Sequence, residues 1–225
     1  MRRFNQKETL LISATILISI VFAAYGVVSL INRSSEGSIV RVACVGDSLT
    51  EGSNYPDYLW MLLGSKYKVG NFGVSSTTVS FQSNKPYIIQ REFMEAKNFA
   101  PNIVVIMLGT NDAYPSNQQT KANFIKDYEA LVKEFQELSS APQILLVKPP
   151  PVFRNGTGIS TEFFTVNIIP AIEAVAGKLN LQVIDLYEPL SAYPQYFSFD
   201  GVHPTEEGAH AIAQLICQAL VQPRN

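Results

Sequence analysis

Four short stretches carry the residues able to do chemistry. An apolar run stops at Gly46-Asp47-Ser48-Leu49, leaving a serine just beyond it. Asn71-Phe72-Gly73 follows a second run, and Gly109-Thr110-Asn111-Asp112 follows a third. Asp200-Gly201-Val202-His203-Pro204 stands ahead of the last amphipathic stretch. Each alone reads as a turn or a helix cap. Together they contain what acyl transfer needs. A serine hydroxyl needs a base, and His203 is one of two histidines in the chain. The imidazole needs an acid to fix its tautomer, and Asp200 lies three residues away. A developing oxyanion needs donors, for which the backbone N–H groups of Ser48 and Gly73 and the Asn111 amide are candidates. Asp185 is a rival acid, otherwise a loop or cap residue. His210 falls beside an apolar helical stripe and reads as structural. Asp47 and Asp112 are read as holding their own turns through side-chain to backbone bonds.

The elements that must position these groups alternate along the chain. Strands are predicted at 39–45, 67–72, 103–108, 143–148 and 181–186, with helices at about 56–64, 86–99, 120–139, 162–179 and 204–221. Strands alternating with helices imply parallel pairing through right-handed crossovers. "IVVIML" is apolar on both faces, as a sheet covered by helices on both sides requires. The expected fold is one three-layer α/β/α domain with Ser48, Gly73 and Asn111 at the carboxyl ends of strands, where open α/β sheets bind ligands. The Pro- and Gly-rich segment 149–161 leaves the same edge, either as a plain surface connection or as a wall of the substrate cleft.

The chain has 225 residues, 47% of them hydrophobic and 16% charged, with a net charge of −2. Scattered basic residues leave no footprint for nucleic acid. Residues 9–32, "TLLISATILISIVFAAYGVVSLIN", contain no charge. At helical rise they span about 36 Å, enough to cross a bilayer. Arg2, Arg3 and Lys7 precede them, so the positive-inside rule keeps residues 1–8 in the cytoplasm and sends the remainder outside. The expectation is a single-pass signal anchor at 9–32, a polar linker at 33–38 and a hydrolase domain at 39–225 on the extracytoplasmic side of the cell membrane. A cleaved signal peptide is the rival, and the length of the run argues against it. Cys44 and Cys217 lie in apolar surroundings and read as buried free thiols. No cluster accompanies Asp200 and His203 that would make them metal ligands. Asn155-Gly156-Thr157 fits an N-glycosylation sequon.

The four blocks, in this order, resemble those of the SGNH or GDSL hydrolases: Gly46-Asp47-Ser48-Leu49, Gly73, Gly109-Thr110-Asn111-Asp112 and Asp200-Gly201-Val202-His203-Pro204. The resemblance covers nearly all of 39–221. It implies a flavodoxin-like sheet in the order 2-1-3-4-5, a triad of Ser48, Asp200 and His203, an oxyanion hole of Ser48, Gly73 and Asn111, and neither metal nor cofactor. One position departs: the second block ends in Ser76, where members of the family often carry glycine. Within the family the chain looks most like the carbohydrate O-acetylesterases, including sialate-type members. The implied substrate is therefore a small-molecule or carbohydrate acyl ester. Two alternatives remain open. One is a lysophospholipase or thioesterase with Tyr114, Phe153, Phe163 and Phe164 lining an acyl groove. The other is a catalytically silent binding domain.

Overall fold

The computed structural model describes residues 38–153 and 158–221. The apolar run at 9–32 and the sequon at 155–157 lie outside the described residues. No helix among the described residues is long and apolar enough to cross a membrane.

Five strands form one parallel sheet in the order β2-β1-β3-β4-β5: β1 (Val40–Gly46), β2 (Tyr67–Gly73), β3 (Ile103–Met107), β4 (Gln143–Lys148) and β5 (Gln182–Asp185). The register runs Gly46 opposite Gly73 on one side of β1 and Gly46 opposite Met107 on the other. This order puts the topological switch point between β1 and β3, where chain connections leave toward opposite faces and open a crevice. The expected sheet order holds.

Among the described residues eight α-helical segments accompany the strands: α1 (Ser48–Glu51), α2 (Tyr55–Leu63), α3 (Arg91–Asn98), α4 (Lys121–Gln136), α5 (Thr161–Phe163), α6 (Ile169–Leu179), α7 (Tyr187–Leu190) and α8 (Glu206–Val221). Helix α2 packs on α8, and α4 packs on α6. The sheet core is apolar and closed to solvent: Val42–Val45, Val104–Met107 and Leu145–Val147 are fully buried. That two-sided burial is why these strands read as continuous apolar runs rather than alternating ones.

Three helix boundaries differ from the expected ones. The stretch expected as one helix over 86–99 begins with a 3₁₀ turn at Tyr87–Ile89 and only then enters α3, because Gln90 between them is extended. Tyr87 is buried with its hydroxyl donating to Phe72 O at 2.6 Å, and that anchor holds the early turn apart from the helix. Between α5 and α6 the helix runs through a π-helical turn at Phe164–Ile168. Pro170 has no N–H to return to Val166, so the ladder must loosen there. The last helix begins at Glu206 rather than 204. Pro204 forms a bridge with Phe197, and Thr205 supplies the cap, taking the Gly208 N–H on its hydroxyl at 3.3 Å.

Candidate active site

Strand β1 ends at Gly46 because nothing larger fits. A Cβ there would lie 2.1 Å from Thr50 Oγ1 and 2.8 Å from Met107 O. The chain turns directly into α1, and Asp47 caps it by accepting the Leu49 N–H on Oδ1 at 2.9 Å. Ser48 is therefore the first residue of a helix, half-buried, with an N–H that has no acceptor within the helix.

From the other end of the sequence, the loop before α8 brings in an imidazole. His203 Nε2 lies 2.9 Å from Ser48 Oγ, and its Nδ1 lies 2.6 Å from Asp200 Oδ2. The remaining Asp200 oxygen accepts the N–H groups of Val202 and His203 at 2.8 and 3.0 Å, and faces the Ser198 hydroxyl at 2.9 Å. Gly201 makes the loop possible with φ +70°, a conformation glycine adopts without penalty. Burial works against a charge on Asp200. The His203 ring, the two N–H groups and the Ser198 hydroxyl outweigh it and hold the carboxyl well below the usual carboxylate range. Ser198 had no signal in the sequence, since nothing local marks a serine that bonds an aspartate two residues on.

The two other expected donors stand at the site with partners of their own. Gly73 packs against the backbone of α1, where a Cβ would lie 2.2 Å from Glu51 N. Its N–H donates to Asn71 Oδ1 at 3.0 Å, while Asn71 Nδ2 donates to Thr50 O at 2.9 Å. The Asn111 amide, buried in a 3₁₀ turn after β3, lies 3.0 Å from Thr77 O and 3.3 Å from Asp47 Oδ2. Ser76, at the position of the departing glycine, has φ +65°. The loop thus keeps the left-handed shape that glycine serves, with a serine in it.

Two buried carboxyls stand beneath the site. Asp47 is pushed up to about 7, chiefly by burial and further by the Asp112 charge. Asp112 is likewise pushed up to about 7 by burial. As expected, Asp47 holds its own turn. Asp112 does not. It reaches across to accept the N–H groups of Val79 and Ser80, both at 2.9 Å.

The remaining candidates fall elsewhere. Asp185 pairs with Lys148 at 2.5 Å and caps α7 by accepting the Glu188 N–H at 3.1 Å. His210 is an exposed residue of α8 stacked on Tyr58, ring centroids 3.6 Å apart. Cys44 and Cys217 are free, and burial pushes the Cys44 thiol up to about 12. Of the four aromatics expected to line an acyl groove, Phe164 is a core residue, 1% exposed. Phe153 lines a cavity of about 350 Å³ with Pro194, Phe197, Ser198, Phe199 and Gly201, the last from the Asp200–His203 loop. The described ends of 149–161 are tied to the site: Phe153 N–H donates to Gly201 O at 2.9 Å, and Ser160 N–H to Ala113 O at 3.0 Å.

A serine, an imidazole and a carboxylate in bonded series, at the switch point of a doubly wound sheet, can transfer an acyl group through the serine. The comparisons agree with that class. The chain belongs to the GDSL-like lipase/acylhydrolase family, whose pattern matches residues 44–211. It is 34% identical over 206 residues to an acetylxylan esterase of Xylanibacter ruminicola, covering 80% of this chain and 43% of that one. The chain thus spans less than half the length of this curated relative. Among solved structures it is similar in fold to an aryl esterase of M. smegmatis (20% identity, TM-score 0.66, 80% of this chain and 98% of that one). It is also similar to an acetyl xylan esterase (20% identity, TM-score 0.65, 81% and 100%).

Proposed function

We propose that this chain is a membrane-anchored serine esterase that removes small acyl groups, acetyl foremost, from a carbohydrate or similar small alcohol outside the cytoplasm. One observation carries the chemistry: the unbroken series Ser48 Oγ, His203 Nε2, His203 Nδ1 and Asp200 Oδ2, with spacings of 2.9 and 2.6 Å. Ser48 Oγ attacks the ester carbonyl while His203 Nε2 takes its proton. Asp200 holds the tautomer with the proton on Nδ1 and faces the imidazolium that forms. The Ser48 N–H, the Gly73 N–H and the Asn111 amide receive the oxyanion. Gly73 turns from Asn71 and Asn111 from its buried acceptors as that charge develops. The alcohol leaves with the proton from His203, and water, activated by the same imidazole, releases the acid from Ser48.

Preference for a small acyl group is supported by Phe164, whose place in the core removes one wall of the long-chain groove. The acetylxylan esterase relative supports acetyl on a carbohydrate. The anchor reading rests on the uncharged run at 9–32 and the basic residues before it. The test is the full-length Ser48→Ala variant against the parent, on acetyl, butyryl and palmitoyl esters and acetylated xylan. The variant should lose about 10⁴–10⁶ in turnover and all labelling by an organophosphonate, while keeping its circular dichroism. Parent activity should be highest on the acetyl esters. More than a tenth of parental kcat in the variant would remove Ser48 from the role of nucleophile.

A further inference from the structure

The candidate site occupies the carboxyl ends of the strands. At the opposite end, large apolar side chains reach solvent together. Ile39 immediately precedes β1, whose Val40 pairs with Tyr67. Trp60, Met61 and Leu62 form the last full turn of α2, with Met61 75% exposed. Trp60 is tied to the start of β2, its Nε1–H donating to Tyr67 O at 2.7 Å. Exposed Val221 ends α8, the helix that packs on α2, and Ala219 O near that end accepts from Gln182 at the start of β5. All five residues thus belong to the amino end of the sheet. Single exposed apolar residues are ordinary. Three consecutive ones on a helix end, with Ile39 and Val221 at the same end of the sheet, are not scattered.

The helix-to-strand connections at this end carry few charges. The four helix-to-strand connections here, 64–66, 99–102, 137–142 and 180–181, carry two charges among them, Lys66 and Glu137. Beside them Arg41 and Lys68, at the starts of β1 and β2, add basic charge: Arg41 Nε donates to Ala100 O at 2.7 Å, and Lys68 Nζ lies 5.6 Å over the Phe99 ring. Basic side chains suit lipid headgroups, and a tryptophan beside a lysine suits the boundary between headgroups and acyl chains. The uncharged run stops at Asn32, and residues 33–38 separate it from Ile39. Six extended residues reach about 20 Å at most, which confines Ile39 to the neighbourhood of the bilayer if the run crosses it.

We propose that this end of the domain, through Ile39, Trp60, Met61, Leu62 and Val221, rests on the lipid bilayer, so that the Ser48 site opens away from the membrane. The proposal rests on the anchor reading of residues 9–32. Six strand steps of about 3.3 Å each separate Val40 from Gly46, which lifts the site about 20 Å above the contact. The substrate this orientation favours is a soluble or wall-borne ester rather than a membrane lipid.

Trp60 is the chain's single tryptophan, so its fluorescence reports on this patch alone. The experiment places the full-length protein in phosphatidylcholine vesicles, with and without lipids brominated near the headgroup end of the acyl chain. The protein should float with the vesicles, and bromine should quench Trp60 at least twofold. A variant with Met61→Ser and Leu62→Ser should still float and keep full esterase activity, but lose most of the quenching. Flotation without quenching in the parent overturns the docking and leaves the anchor standing. Failure to float overturns both. Equal quenching in the double variant shows that the patch does not make the contact. Absence of bromine quenching, together with crosslinked dimers, identifies a second copy as the occupant and overturns the proposal.

Discussion

Asp47 joins the Ser48 turn to the Asn111 amide, and Asp47→Asn tests that link with little change in shape. The side chain is 1% exposed, with Oδ1 on the Leu49 N–H at 2.9 Å and Oδ2 facing Asn111 Nδ2 at 3.3 Å. An asparagine keeps one oxygen for Leu49 and turns its NH2 toward the NH2 of Asn111. Two buried donors then face each other, and leaving one unsatisfied costs about 1–3 kcal/mol. Asn111 relaxes toward Thr77 O and loses its aim at the site. Turnover should fall by about 10- to 100-fold with KM nearly unchanged, the upper figure being about that of losing one oxyanion donor. Stability supplies a second readout, with a definite sign. Burial raises the Asp47 carboxyl from 3.8 to about 7. The folded state therefore favours the protonated form: that contribution is complete below about pH 4 and is lost as pH rises through 7. At about 1.4 kcal/mol per pH unit, the parent loses on the order of 2–3 kcal/mol between pH 5 and pH 8 through this group alone. The asparagine has no such proton, so urea unfolding followed by circular dichroism should show that difference shrink by about the same amount. It will not vanish, because Asp112 is raised to about 7 as well. An unchanged pH dependence of stability together with parental kcat would refute the reasoning.

Asn111→Ala should lower kcat by about 10²–10³ with KM little changed, since its amide bonds the charge only as it develops; a change confined to KM in steady-state kinetics would make Asn111 a substrate-binding residue instead. Asp200→Asn should lower both kcat and kcat/KM by up to about 10⁴, because the imidazole loses the partner that fixes its tautomer. Asp185→Asn, which breaks only the contacts with Lys148 and the start of α7, should move neither, and a larger loss there would transfer the acid's role to Asp185. Because the Asp200 carboxyl is held below its ordinary range, its bonds to His203, Val202 and Ser198 support the loop at neutral pH and release it only on acidification below about pH 4, which thermal melts across pH 2–6 would register as a falling Tm. Removal of residues 1–34 should yield a protein that stays in solution and keeps its esterase turnover, since the sheet begins at Val40; aggregation or loss of activity would give the N-terminal segment a part beyond anchoring.

The sequence by itself determined the α/β alternation and the turns that begin its loops. Two-sided burial makes the central strands continuous apolar runs, the turn after β1 demands a glycine and a capping aspartate at Gly46 and Asp47, and the loop before α8 demands Gly201, so both are written locally. The rest depends on contacts between distant parts of the chain. Ser48 and His203 are 155 residues apart, and only the parallel order 2-1-3-4-5 closes that distance to 2.9 Å. Asp112 reads locally as the holder of its own turn, yet it bonds the N–H groups of Val79 and Ser80, some 33 residues earlier. Phe164 reads as a groove residue, but the π-helical turn before Pro170 directs it into the core. The same limit hid Asn71 on the Gly73 N–H and Ser198 on Asp200. Periodicity and turn chemistry are properties of neighbouring residues. Which acceptor a side chain finds is decided only when the sheet brings separate loops to one edge.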